Sequence, residues 1–104
     1  MPIMEISIIP LGTRSPSVSK YIANALGILK REKNIKYRLT SMGTIIEANS
    51  SKRLLSIASK MHKMALSNDV RRIVTTLKID ERRDKNITME SKIMSVKKRL
   101  RNKK

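Results

Sequence analysis

Apolar and polar positions alternate from Ile3 to Pro10, with Met4, Ile6 and Ile8 on one side and Glu5 and Ser7 on the other, which predicts a β-strand. Ile3 and Ile9 make the second face largely apolar too, so the strand is expected to be central in its sheet. Pro10, Gly12 and Pro16 then punctuate a loop. Ser15 followed by Pro16 suits the cap and first position of a helix. Val18, Ile22, Ala25, Leu26 and Leu29 draw one apolar stripe along that helix, and Lys30, Arg31 and Lys33 sit where cations suit the dipole, before an end near Asn34.

Ile35 to Ser41 and Thr44 to Asn49 read as two strands folded back on each other around Met42-Gly43, with glycine supplying the positive φ of a tight turn. Ser50 or Ser51 caps a second helix whose stripe is Leu54, Ile57, Ala58, Met61 and Ala65, ending at Asn68 and Asp69. Val70 to Ile79 is β-branched and alternating, Ile73, Thr75, Leu77 and Ile79 facing one way and Val74, Thr76 and Lys78 the other. A charged loop, Asp80 to Lys85, follows. Thr88 caps a last helix with Glu90 in its first turn and Met89, Ile93, Val96 and Leu100 along one side.

The order is strand, helix, strand, strand, helix, strand, helix. Two split strand-helix-strand halves joined by a hairpin give a ferredoxin-like α+β sandwich, βαββαβ, with an additional C-terminal helix. Residues 1–104 are expected to form one domain, with a basic helix and tail over about 88–104. Helices cover one face of such a sheet. Because the first and last strands carry apolar residues on both sides, a second copy of the chain is expected to cover the other face.

One acid, Glu47, lies within the apolar hairpin strands, so it either faces water or is bound by something. With Phe and Trp absent and Tyr21 and Tyr37 the two aromatic residues, the core is built from aliphatic side chains and methionine. There is no cysteine, which removes disulfides and thiolate chemistry and fits an intracellular protein. Met1 to Pro10 does not read as a leader and no apolar run reaches spanning length, so the expected location is the cytoplasm. The formal charge is +16, and six of the last eight residues are basic, so +10 remains without them. That field attracts polyanions without a specific site, or serves as a solubilising surface.

These residues argue against an enzyme. His62, the one histidine, lies mid-helix with no partner motif, and neither metal-ligand spacing nor a glycine-rich phosphate loop is present, so no cofactor is expected. RNA-recognition modules share this element order but stack bases on aromatics of the middle strands, where this chain has Lys36, Arg38, Thr40, Ile45 and Glu47. Non-specific electrostatic contact with nucleic acid through the tail stays open. A third class, a small-ligand module, would draw on Glu5, Ser7, Thr40, Thr44, Glu47, Thr76 and Lys78, whose hydroxyls alternatively pair across strands.

Ile8-Ile9-Pro10-Leu11-Gly12-Thr13, the hairpin Tyr37 to Glu47 with Met42-Gly43-Thr44-Ile45-Ile46-Glu47, Lys60-Met61-His62, and Lys78 to Lys85 together resemble the small thiamine-binding proteins of family UPF0045. The resemblance runs in order from about Ile3 to Leu100. It implies a ferredoxin-like subunit, assembled as a dimer of dimers, that binds thiamine or its hydroxymethylpyrimidine part without a known reaction. By position it implies a wall from Pro10, Gly12 and Thr13, a hairpin from Thr40, Met42, Gly43 and Thr44, and Glu47 as the carboxylate that meets the aminopyrimidine. Lys78, Asp80, Arg82, Arg83 and Asp84 match a charged stretch expected at a phosphate or a subunit contact. Ser41 and Ala48 depart from the family pattern, which has proline and glycine there. The alternative is a basic structural or nucleic-acid-associated protein that keeps the fold.

Overall fold

A computed structural model describes residues 1–12, 19–66 and 70–102. Its elements are β1 (Ile3–Leu11), α1 (Ser19–Arg31), β2 (Lys36–Leu39), β3 (Thr44–Glu47), α2 (Ser51–Ala65), β4 (Arg72–Asp80) and α3 (Met89–Arg101). The four strands form one antiparallel sheet in the order β2-β3-β1-β4. β3 fills the gap left by the β1-α1-β2 crossover and β1 fills the gap left by β3-α2-β4, which is the ferredoxin-like arrangement. β1 is central, as its two apolar faces require.

Register decides what each face carries. Met4 pairs with Ile46 and Ile79, and Ile6 with Thr44 and Leu77, so these residues share the face covered by α1 and α2. Ala25 and Leu29 of α1, and Leu54, Ile57, Ala58 and Met61 of α2, close over them as the main core. Fully burying each Ile, Leu or Met there contributes about 1.5–3 kcal/mol. The α2 stripe matches the spacing in the sequence, down to buried Ala65. Ser50, rather than Ser51, is its cap, the side chain accepting from Arg53 N at 3.1 Å.

Four expectations need correction. Gly43 does not adopt positive φ, which among the described residues falls on Gly12 and Asn34. Glycine is required at 43 because a Cβ would sit 2.9 Å from Ile6 O, where the loop crosses β1. The loop spans 40–43, so Thr40 is a turn residue and not a strand residue. β1 runs through Pro10 to Leu11. Beyond Ile6 it has β4 alone as a neighbour, and a residue without an N–H is tolerated on such a margin. The last strand starts at Arg72 and not at Val70. Ser15, Pro16, Val18, Asn68 and Asp69 lie outside the described residues.

The outer face of the sheet is partly covered by the chain itself. Ile87 and Met89 pack on Ile3 and Ile45 as a second, smaller cluster. Ile9, Leu11 and Val74 remain exposed on that face. Past Met89 every described residue of α3 is exposed, including Val96 at 58% and Leu100 at 63%. The radius of gyration is 15.7 Å, where a compact chain of this length has about 13 Å. α3 is therefore an arm with an apolar stripe that its own subunit does not bury.

Candidate functional site

Thr40 builds the hairpin loop. Its hydroxyl accepts from Met42 N at 3.2 Å and Gly43 N at 3.1 Å and donates to Gly43 O at 2.8 Å, while Thr40 N also donates to Gly43 O. One threonine thus satisfies the loop's backbone locally. The loop stands over β1 and faces α1, and the space between them is a cavity of about 270 Å³. Ile6, Ile8, Ile22, Ala25 and Leu26 form its apolar walls, Met61 its floor, and Leu39 to Thr44 its rim, with Ser7 and Ile9 of β1 at its margin.

None of the described lining residues is ionisable. The polar groups are hydroxyls. Thr40 is committed to the loop, whereas Thr44, only 4% exposed, makes no side-chain hydrogen bond to a described residue. An apolar slot with one or two free hydroxyls recognises a small, flat, uncharged ring, orienting it by hydrogen bonds while the walls exclude water.

The expected site residues divide on this geometry. Thr40, Met42, Gly43 and Thr44 come together on the cavity, joined by Ser7 and Ser41. Pro10 is buried in β1 beyond the cavity, and Gly12, with φ +73°, lies past the strand end beside Arg71 and Arg72. Thr13 lies outside the described residues. Glu47 is on the other face of the sheet, 1% exposed, where Oε2 accepts from Met89 N at 3.3 Å. Among the described residues no cation pairs with it. The apolar residues of α1 that complete the cavity carry no chemical signal in sequence. Only the packing of α1 beside α2 over the sheet places them there.

The charged residues form a separate group at the far end of the sheet. Lys78 pairs with Glu5 across strands at 3.3 Å, and Asp80 meets Lys92 of α3. Arg82 grips Asp84, Nε to Oδ1 at 2.8 Å, and this contact holds the Asp84 carboxyl below its ordinary range. Arg83 is exposed beside them. His62 is half-buried and ties α2 to β4, its Nδ1 lying 2.7 Å from Thr75 Oγ1. Among the described residues there is no group of three or more His, Asp or Glu side chains able to hold a metal, and no helix is long and apolar enough to cross a membrane.

The family model for thiamine-binding proteins matches residues 4–97. UPF0045 protein YqgV of Bacillus subtilis is 44% identical over 103 residues, covering 96% of this chain and 98% of its own. A UPF0045 protein of Methanothermobacter thermautotrophicus is 40% identical over 96 residues, covering 92% and 96%. Among solved structures, MJ1052 of Methanocaldococcus jannaschii superposes with a TM-score of 0.82 at 38% identity, over 92% of this chain and 95% of that one. A Thermotoga maritima protein named for thiamine biosynthesis or salvage gives 0.75 at 18% identity over 91% and 97%, a likeness of fold. A match over nearly the whole chain, with the same sheet and helices beneath it, places this chain in the UPF0045 family of thiamine-binding proteins.

Proposed function

We propose that the chain is a non-catalytic, cytoplasmic binding protein for thiamine or its hydroxymethylpyrimidine part, and that the cavity beside the 40–43 loop holds the pyrimidine. The observation that carries this reading is the cavity's described lining, largely apolar and uncharged, with the Thr44 hydroxyl accessible and left without a partner among the described residues. An aminopyrimidine is flat and neutral, and its amine and ring nitrogens match hydroxyl partners. Thiazolium is cationic, and a chain of +16 repels it where no described residue of the slot is a carboxylate. Hydroxymethylpyrimidine should therefore bind at least as tightly as thiamine.

The active form is a homo-oligomer, a dimer of dimers. What supports this is the apolar surface that one subunit leaves uncovered: Ile93, Val96 and Leu100 on α3, and Ile9, Leu11 and Val74 on the sheet. The second reading, a basic protein that contacts nucleic acid non-specifically, draws on the cations of the exposed α3. Salt separates the two, because contacts with phosphates weaken steeply as salt rises and a buried pyrimidine contact does not.

Calorimetric titration with thiamine, hydroxymethylpyrimidine and the thiamine phosphates, at low and moderate salt, tests the proposal. Saturable, salt-tolerant binding of hydroxymethylpyrimidine is the expected result. No heat from any of them, with folded protein free of co-purified ligand, would overturn it.

A further inference from the structure

A second concavity lies at the opposite end of the molecule, on the outer face of the sheet. It is a groove of about 470 Å³ between the 80–87 stretch and one side of α3. Lys92 and Arg99 are seven residues apart and so share a helix face, and that face turns toward Arg82 and Lys85. Among the described residues, four cations thus line one groove against a single carboxylate, Asp80.

The pairing is incomplete. Asp80 is taken by Lys92, and Arg82 is held by Asp84 from outside the lining. Arg99 forms no ion pair with a described residue, and Lys85, whose charge is felt by the neighbouring Asp84 carboxyl, makes no close contact with one. Asn86 uses Oδ1 to accept from the Met1 ammonium, so its amide N–H groups remain as donors on the same wall. Cations spread for solubility would repel one another apart. Here they converge, and the cost of that convergence is offset when an anion enters.

We propose that this groove binds the phosphate or diphosphate group of a small ligand. A tetrahedral oxyanion accepts several hydrogen bonds at once, and the planar fork of Arg99 together with the Lys85 ammonium supplies charge-assisted donors to it. The groove and the hairpin cavity lie on opposite faces of the sheet. Either site can fail while the other stands.

The test is titration of the full chain with inorganic diphosphate at low salt, on wild type and on two double variants with equal loss of charge. Lys85→Gln with Arg99→Gln removes two cations of the groove that are in no close ion pair with a described residue. Lys97→Gln with Arg101→Gln removes two exposed cations from other faces of α3. Saturable binding near one diphosphate per chain is expected, weakened at least about tenfold by the first pair and less than about twofold by the second. All three proteins should keep the same circular dichroism, since none of these four side chains is buried. The proposal is overturned if wild type does not saturate or if both pairs weaken binding equally, the signature of a diffuse field. It is also overturned if a short single-stranded oligonucleotide binds where diphosphate does not.

Discussion

The Glu47 carboxylate lies beneath the first turn of α3 and accepts a hydrogen bond from the Met89 backbone N–H at 3.3 Å. Met89 is the first residue of that helix, so Glu47 satisfies one of its unpaired donors and places negative charge at the positive end of the dipole. The Thr88 and Ser91 capping box satisfies others. A buried acid on the sheet and a helix 42 residues later thus fix each other.

Glu47→Ala should therefore loosen α3 and cost about 1–3 kcal/mol, because a buried N–H loses its acceptor. Urea denaturation measures the cost. Affinity for hydroxymethylpyrimidine should stay unchanged, and an affinity loss at full stability would mean that Glu47 contacts ligand instead.

Gly43→Ala puts a methyl group 2.9 Å from Ile6 O, which is backbone in a central strand and gives way poorly. A destabilisation of about 1–3 kcal/mol is expected, together with weaker ligand binding as the loop lifts from β1. Thermal melts and titration of the same sample read both effects.

Thr44→Val keeps the shape and removes the hydroxyl. Because that hydroxyl has no partner among the described residues, stability should hardly change. Hydroxymethylpyrimidine affinity should fall about 3–10-fold, the worth of one hydrogen bond. Calorimetry on the variant tests this directly.

Glu32 at the end of α1 accepts from Lys60 at 2.6 Å and Arg53 at 3.1 Å, and Lys60 foremost holds its carboxyl below the ordinary 4.5. A depressed folded-state value means the contribution is present above the unfolded-state value and is lost as pH falls through the folded one. Glu32→Gln should thus be less stable than wild type by up to about 1 kcal/mol at neutral pH, with the gap closing in acid. Denaturation midpoints measured down through the carboxylate range follow the gap.

Leu100→Glu and Val96→Glu place charge on the stripe that α3 leaves exposed. Sedimentation should show a smaller assembly for these variants, with the subunit fold kept by circular dichroism, because neither side chain is buried within its own chain. An unchanged sedimentation coefficient would exclude α3 from the subunit contact.

How much of this was legible in the sequence differs by element. The stripe Leu54, Ile57, Ala58, Met61 and Ala65 announced α2, and the alternation of Met4, Ile6 and Ile8 announced β1, because a helix or strand with one buried face must repeat its apolar residues at its own period. Thr88 announced the start of α3, since the unpaired N–H groups of a helix end are met by neighbouring side chains. The reason for Gly43 could not be read this way. A tight turn and a close approach both demand glycine, and only the crossing of the loop over Ile6 O distinguishes them.

The sequence by itself determined the order of elements, the stripe that α2 buries, and a family whose members share this fold. Those properties are local, or repeat along the chain. Tertiary structure alone decided the register that sends Thr44 to one face of the sheet and Glu47 to the other, three residues apart. It also decided that Glu47 would meet Met89, and that α1 would close a cavity over β1. Such contacts join residues far apart in sequence, and no short stretch of the chain encodes the partner it will meet.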